Sequence, residues 1–424
     1  MRNIIICCDG TGNEISENIS NVLKLYRCLR KTEKTQPRQL VFYDPGVGTL
    51  ERPDPWHKLK QDFNAILGLA TGYGLDDNVL AAYSFLVHHY QAGDAIYLFG
   101  FSRGAYTVRV LAGLIHKVGL ISPEQVNLAG SGLIAYKQFS SDEAPKLRLS
   151  PKALIDTGDE DGPLPEGPFD NAAQFARITS ARWPTIRFVG VWDTVASVIV
   201  PRPDRFYWPS LEELAYTISN PSVQTFRQAI SIDERRCMFR LKKWDDPQTY
   251  KHNRFNDAHA EPQDILQVWF SGVHGDIGGG YPEKESGLSK YPLLWMIDEA
   301  VKCGLQVNQA NVNQLAWGIQ RKGSPFSYVA PDVRGEVHTS LRSAWWILEY
   351  IPKSATYREW PARKTYFGYY IPDAEPRLIP EGAVIHESVV KRMDAMPSYR
   401  PVNFPNKYET WPMPTPPVHA AAES

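Results

Sequence analysis

One strand–turn–helix pattern constrains this chain more than any other feature of its sequence. The apolar run at residues 95–99 leads directly into Gly-Phe-Ser-Arg-Gly, and an amphipathic stretch at residues 105–118 follows. Strand, tight turn and helix form the context in which G-x-S-x-G becomes a nucleophile elbow, whereas an isolated pentapeptide is often an ordinary loop. The two glycines permit a turn that is too tight for flanking side chains. We therefore predict that Ser102 projects from a sheet edge as a nucleophile.

Short β-rich runs alternate with helical patterns up to about residue 304. This alternation predicts an α/β fold of the α/β-hydrolase kind, with a mainly parallel sheet and helices on both faces. The predicted strands are 4–8, 40–43, 95–99, 186–192 and 265–270, and the predicted helices are 20–30, 75–90, 105–118 and 292–303.

Beyond residue 304 the alternation stops, and short polar segments, prolines and aromatic residues dominate. We predict a catalytic domain at residues 1–304, with a surface insertion at about residues 140–180. Residues 305–424 are expected to form an irregular C-terminal extension that packs on the same domain. Its tail is expected to be frayed from about residue 408, where prolines accumulate.

Composition excludes several classes of protein. The 424 residues are 43% hydrophobic and 22% charged, as in an ordinary soluble globular protein. A net charge of −1 without a dense Lys/Arg tract argues against a nucleic-acid partner. No apolar run is long enough for a transmembrane segment. The N-terminus becomes polar too soon for a signal peptide, so a cytoplasmic location is the default, and export without an N-terminal signal is also compatible.

Two further residues stand where a serine nucleophile needs partners. Asp193 ends the apolar run at 186–192, and His274 follows the run at 265–270. Serine requires a base, and the base requires an orienting carboxylate. The order Ser102, Asp193, His274 is the chain order of α/β-hydrolases, and strand ends meet at one sheet edge. Asp276 is the rival acid, which we place in loop structure as possible support.

The loop after the first predicted strand has two interpretations. Together with the N–H of Arg103, the glycine-rich segment Gly10, Thr11 and Gly12 would supply an oxyanion hole, supported by Asp9. The segment also resembles the phosphatase pattern D-x-D-G-T, but Cys7 occupies the position of the attacking aspartate. No Walker A loop, H-E-x-x-H or paired C-x-x-C is present, so we expect no metal and no cofactor.

Five segments of the chain together resemble one known family. They are Asp-Gly-Thr-Gly-Asn at 9–13, Tyr-Asp-Pro-Gly-Val-Gly-Thr at 43–49, Tyr-Leu-Phe-Gly-Phe-Ser-Arg-Gly-Ala-Tyr at 97–106, Val-Trp-Asp-Thr at 191–194 and Gly-Val-His-Gly-Asp-Ile-Gly-Gly-Gly-Tyr at 272–281. In this order they are similar to the catalytic-domain family of the type VI secretion phospholipase effectors and related uncharacterised α/β-hydrolase proteins. The resemblance implies an α/β-hydrolase fold and ester hydrolysis, with Ser102 as nucleophile, Asp193 as acid and His274 as base. It also implies a fatty-acyl ester of a phospholipid as substrate.

These observations predict a serine hydrolase that acts on acyl esters, and two alternatives remain open. One is an esterase for small acyl or carbohydrate esters, and the other is a hydrolase-like scaffold that binds without catalysis. Trp345 and Trp346 also allow two interpretations. They would either anchor the chain in transient contact with a membrane surface or pack the extension onto the sheet, which we favour. Arg103 would contact an anionic substrate group or brace the elbow, and we favour bracing.

Overall fold

The computed structural model describes residues 1–10, 18–46, 74–147, 171–195, 199–201, 209–211, 214, 216–341 and 345–417. Its strands are β1 Asn3–Cys8, β2 Gln39–Asp44, β3 Ala95–Phe101, β4 Ile186–Trp192, β5 Ile199–Pro201, β6 Pro209–Leu211, β7 Val223–Ser231, β8 Thr249–Asn253, β9 Asn256–Pro262, β10 Asp264–Phe270, β11 Lys353–Ser354, β12 Tyr369–Tyr370, β13 Ala383–His386 and β14 Tyr408–Trp411. Its α-helices are α1 Asn21–Cys28, α2 Leu75–His89, α3 Arg103–Val118, α4 Ala129–Leu147, α5 Asn171–Ile178, α6 His274–Gly278, α7 Lys290–Lys302, α8 Gln309–Leu315, α9 Trp345–Glu349 and α10 Glu387–Ala395.

Eight strands form one central sheet in the order β14-β13-β10-β7-β4-β3-β1-β2. Every neighbouring pair in this sheet is parallel, so all carboxyl ends lie at one edge. Strands β2 and β3 lie on opposite sides of β1, which creates a topological switch point between β1 and β3. The prediction of an α/β fold with a mainly parallel sheet is confirmed.

Strand β1 shows how the sequence builds a sheet that is covered on both faces. Alternate side chains of a strand point to opposite faces. Ile4 and Ile6 pack in a core cluster with α2 and α3, whereas Ile5 and Cys7 pack in a second cluster with α1 and α7. All six residues of β1 are buried, as a strand between two helical layers requires. All five cysteines are free thiols.

The C-terminal part of the chain is more regular than predicted. Strand β13, helix α10 and strand β14 add two parallel strands to the sheet, with Ala383 opposite Tyr408 and His386 opposite Trp411. The expectation of a frayed tail is therefore wrong for residues 408–411. These strands are only four residues long, and β14 is polar and at the sheet edge, so β14 lacks the apolar run of a central strand.

The predicted surface insertion at about residues 140–180 is helical where the structure describes it. Helix α4 extends to Leu147, and α5 buries Ala172 and Ala176. Residues 148–170 lie outside the described residues. No described helix is both long and apolar enough to cross a bilayer.

Candidate active site

The carboxyl ends of β3, β4 and β10 bring the three predicted residues together. The imidazole Nε2 of His274 lies 2.8 Å from the hydroxyl Oγ of Ser102, and its Nδ1 lies 2.6 Å from Oδ2 of Asp193. Ser102 is 8% exposed, His274 is 5% exposed and Asp193 is fully buried. A continuous hydrogen-bond chain thus runs from a hydroxyl through an imidazole to a buried carboxylate.

Ser102 forms the whole turn between β3 and α3. Its backbone has φ 57° and ψ −121°, a conformation that residues with a side chain rarely adopt. The turn is held by the N–H of Ser102, which donates to the carbonyl of Trp192 at 3.2 Å. A Cβ on Gly104 would lie 2.1 Å from the carbonyl oxygen of Cys8, so only glycine allows α3 to begin against the end of β1. Asp193 also has a positive φ, of 38°, and such strained residues cluster at functional sites.

His274 begins the short helix α6 instead of lying in the open glycine loop that the sequence suggested. Its ring lies between Phe101 and Phe239, with ring centroids 4.7 and 4.8 Å away. The nearby glycines serve packing, because a Cβ on Gly278 would lie 2.0 Å from the ring of Phe101. Burial lowers the pKa of His274 and outweighs the opposing effect of Asp193. The imidazole is therefore neutral at neutral pH, as a proton acceptor must be.

Arg377 holds the carboxylate of Asp193 from the side opposite His274. Its Nη1 lies 2.6 Å from Oδ1 and its Nη2 lies 3.0 Å from Oδ2 of Asp193. Burial alone would raise the pKa of Asp193, but the charge of Arg377 and the hydrogen bond with His274 hold that pKa well below its ordinary value. Asp193 is therefore an ionised carboxylate with its own buried cation.

The loop after β1 lies beside the elbow. Asp9 is buried, and its carboxylate accepts hydrogen bonds from the N–H of Gly10 at 2.7 Å, from the hydroxyl of Tyr43 at 2.9 Å and from Ser20. The N–H of Gly10 is thus bonded within its own loop, while Thr11 and Gly12 lie outside the described residues. The predicted oxyanion donors, including the N–H of Arg103, remain a prediction. Burial lowers the pKa of Arg103 to about 10.

Asp276 lies outside the hydrogen-bond chain of Ser102, His274 and Asp193 and bonds the C-terminal region to α6. Its Oδ1 lies 2.6 Å from Nδ1 of His338, and its Oδ2 accepts from the N–H of Val273 at 2.9 Å. The other ring nitrogen of His338 lies 3.3 Å from Glu285, and Tyr281 stacks on the ring at 3.6 Å. The rival acid is therefore engaged elsewhere, within a helix and not in a loop. Among the described residues, no group of three or more His, Cys, Asp or Glu side chains could hold a metal ion.

The His338→Gln substitution is expected to destabilise the fold most at low pH. The hydrogen bond with Asp276 raises the pKa of His338 above its ordinary value of 6.5, although burial opposes this. Protonation therefore stabilises the folded state below pH 6.5, and this contribution is lost as pH rises through the raised pKa. A charged hydrogen bond of this kind contributes about 1.5–3 kcal/mol. Thermal unfolding at pH 6 and pH 9 measures the effect.

The matched control is His252→Gln. His252 lies 3.3 Å from Glu261 but is about half exposed, so its loss should change the unfolding temperature little at either pH. If His338→Gln lowers the unfolding temperature equally at pH 6 and pH 9, His338 stabilises the fold through packing alone.

Residues 2–299 match the family described as "T6SS, Phospholipase effector Tle1-like, catalytic domain". The chain belongs to this family. One relative, the uncharacterized protein YEL023C of Saccharomyces cerevisiae, is 30% identical over 245 residues. The alignment covers 56% of this chain and 32% of the yeast protein, so the chain spans about a third of that relative.

Two solved structures are similar to this Tle1-like chain. One is an uncharacterized protein from Pseudomonas aeruginosa, with a TM-score of 0.35, 18% identity and coverage of 72% of this chain and 46% of that protein. The other is the Tle1 effector bound to the VgrG spike of the type 6 secretion system, with a TM-score of 0.32, 18% identity and coverage of 66% and 51%.

The sequence did not predict two side chains that reach the site from outside residues 2–299, the part of the Tle1-like chain that matches the family. Arg377, which contacts Asp193, and His338, which contacts Asp276, both lie beyond residue 299. Neither belongs to a motif, and both contacts depend on how the C-terminal region folds back over the sheet edge. The aromatic pattern around Trp345 was the nearest signal, because its indole packs on Phe239 with ring centroids 5.3 Å apart.

Proposed function

We propose that the chain is a serine hydrolase that cleaves carboxylic acyl esters. The hydrogen-bond chain from Ser102 through His274 to Asp193 carries this proposal, because it is the arrangement that activates a serine hydroxyl. Membership of a family of phospholipase effector catalytic domains supports it. Ser102 is the nucleophile, His274 the general base and Asp193 the acid that orients it.

The reaction begins with proton transfer from the Ser102 hydroxyl to Nε2 of His274. The serine oxygen attacks the carbonyl carbon of the ester, and the carbonyl oxygen becomes an oxyanion. The buried carboxylate of Asp193 keeps Nδ1 protonated and stabilises the imidazolium. His274 then gives its proton to the leaving alcohol, and an acyl group remains on Ser102.

The oxyanion is proposed to lie between the N–H of Arg103 and the loop at residues 10–12. Arg103 is the first residue of α3 and directly follows the proposed nucleophile, the position from which a nucleophile elbow supplies one oxyanion donor. The close approach of α3 to the end of β1 supports donors from both elements. A water molecule activated by His274 then releases the acyl group as a carboxylic acid and restores Ser102.

A phospholipid is the proposed substrate, and a surface near the site supports contact with a lipid interface. This aromatic surface comprises the exposed side chains of Trp346, Ile347, Tyr350, Tyr366, Phe367 and Tyr369. Tyr350, Tyr366 and Tyr369 line one groove of about 570 Å³, together with Lys364 and Arg363. Aromatic rings favour the headgroup boundary of a bilayer, and cations favour anionic lipid.

Trp345, which directly precedes Trp346 of the aromatic surface, is connected to His274 through packed rings. Trp345 packs on Phe239, which in turn packs on His274. The two neighbouring tryptophans therefore differ: the indole of Trp345 packs on Phe239, and that of Trp346 is 38% exposed. We propose that contact of the aromatic surface with a bilayer brings lipid to the hydrolytic centre.

Vesicle binding is expected to depend on the aromatic surface. Replacing Trp346 and Phe367 together by serine should reduce co-sedimentation with phosphatidylglycerol-containing vesicles more than tenfold, because each ring contributes about 1.5–3 kcal/mol when buried. The control is Phe326→Ser, which removes a similarly exposed ring from another part of the surface. Equal loss in both variants would contradict a specific lipid-contact surface.

Turnover of p-nitrophenyl esters from acetate to palmitate, with fluorophosphonate labelling, tests the proposed function. Hydrolysis that increases with chain length, with label on Ser102, supports a lipase or phospholipase. Hydrolysis of short esters alone indicates the small-ester alternative. If no ester is cleaved and Ser102 is not labelled, the chain is a hydrolase-like binding scaffold.

A further inference from the structure

Arg377 is a buried arginine that binds both oxygens of the triad carboxylate. Its Nη1 donates to Oδ1 and its Nη2 to Oδ2 of Asp193, at 2.6 and 3.0 Å. The side chain of Arg377 is 3% exposed, and that of Asp193 is fully buried. A planar guanidinium that engages a carboxylate in this two-pronged way fixes its orientation as well as its charge.

The remaining contacts of Arg377 hold the guanidinium in place. Nη1 also donates to the carbonyl of Ser231 at 3.2 Å, and Nη2 donates to the carbonyl of Phe239 at 2.7 Å. The side chain of Asn403 donates to the carbonyls of Arg377 and Ile232, at 3.0 and 3.1 Å. These bonds attach the segment that carries Arg377 to the chain that follows β7.

The carboxylate of Asp193 is consequently oriented by four hydrogen bonds from three residues. Oδ1 accepts from Arg377 and from the N–H of Ser231 at 3.0 Å, and Oδ2 accepts from Arg377. Oδ2 also lies 2.6 Å from Nδ1 of His274. A rotation of the carboxylate would break several of these bonds at once, so Oδ2 stays directed at the imidazole.

We propose that Arg377, supplied by the C-terminal region, is a positioning residue for ester hydrolysis. Arg377 orients the carboxylate of Asp193. It also limits how strongly that carboxylate favours the imidazolium form of His274. This proposal rests on the proposed function of the triad. Without Arg377, Asp193 would be a buried anion, and the protonated form of His274 would be the cation left to bond it. His274 would then hold a proton more strongly and would be a poorer base near neutral pH.

Other charges face the same imidazole and must be considered. Glu234 accepts from the N–H of His274 at 3.2 Å and is itself paired with Arg236 at 2.9 Å. The charge of Glu234 favours the imidazolium, and that of Arg236 opposes it. On the far side, Glu234 and Glu359 both favour the charged form of Arg377. Arg377 is the cation that touches Asp193 directly, so its removal should dominate the change.

The pH dependence of kcat/KM on a soluble p-nitrophenyl ester, measured with the full chain, tests the proposal. In Arg377→Met, the acidic limb of the profile is expected to move to higher pH by about one unit, because the dyad takes up its proton more readily. The plateau of kcat/KM should also fall by about 10- to 100-fold, since Asp193 is less well oriented. Arg377→Lys keeps the charge but not the planar fork, so its limb should stay near that of wild type while its plateau falls.

Arg240→Met is the matched control. Arg240 is a largely buried arginine that bonds Tyr357, Glu359, Tyr370 and Glu375 of the C-terminal region and has no hydrogen bond with Asp193. Its loss should lower thermal stability and leave the acidic limb in place. A limb that moves equally in Arg240→Met and Arg377→Met, or moves in neither, would overturn the proposal.

The outcomes separate this proposal from the function on which it rests. An inactive wild type with an unlabelled Ser102 contradicts the triad itself. An active wild type whose Arg377→Met limb is unmoved contradicts only the role of Arg377. If Arg377→Met does not fold, Arg377→Lys decides: a wild-type plateau and limb in that variant would show that the fork has no role.

Discussion

Ester hydrolysis by the Ser102→Ala variant is expected to be about a million-fold slower than by wild type. The hydroxyl removed is the one atom that lies 2.8 Å from Nε2 of His274 and occupies the tip of the elbow. No other group on the described chain is bonded to that ring nitrogen. Initial rates on the preferred p-nitrophenyl ester, with labelling by a fluorophosphonate, measure the loss.

Ser289→Ala is the matched control for this substitution. Ser289 is also buried, and its hydroxyl donates to the carbonyl of Ser286, outside the triad. This variant should keep wild-type turnover and its reaction with the label. If Ser102→Ala retained activity within about tenfold, water or another residue would be the nucleophile, and the triad assignment would be wrong.

The Asp193→Asn variant is expected to lose both activity and stability. Substituting the carboxylate of such a triad lowers kcat by about 10⁴, because the amide favours the wrong tautomer of the histidine. Here the amide would also leave the guanidinium of Arg377 buried without its anion. Breaking a buried ion pair on one side costs about 3–5 kcal/mol. Ester turnover and the free energy of unfolding in urea measure the two effects.

Combining Asp193→Asn with Arg377→Met separates these two effects. The double variant should recover part of the lost stability, because no charge is left unpaired, but it should recover no activity. Asp276→Asn is the control for the rival acid, since Asp276 contacts His338 and not His274. It should reduce turnover by less than about tenfold. A loss as large as that of Asp193→Asn would assign the acid to Asp276.

Local patterns predicted five of the eight strands of the central sheet and the three residues at its edge, but β7, β13 and β14 were missed. Strand β4 was predicted at its observed bounds because six of its seven residues are buried and its sequence is mainly apolar. Ser102, Asp193 and His274 each follow such a strand, and parallel strands bring their carboxyl ends together. The parallel topology alone therefore predicts that these three residues lie close together, and no side-chain contact has to be known.

The contacts that depend on long-range folding could not be predicted in the same way. Arg377 is separated from Asp193 by 184 positions and belongs to no motif. Strand β14 contains polar residues because it lies at the sheet edge, so its sequence is typical of a loop. The glycines around His274 suggested mobility, whereas Gly278 is required by the ring of Phe101.

Translation delivers Ser102, Asp193 and His274 before Arg377 and the last two strands of the sheet. A ribosome that stopped between residues 274 and 377 would release a polypeptide with every triad residue but without the cation that neutralises Asp193. That fragment would have to bury an unpaired carboxylate, at a cost of several kcal/mol. The proposed hydrolytic centre is therefore complete only after residue 377 has been synthesised, which predicts that a chain ending before this residue hydrolyses no ester.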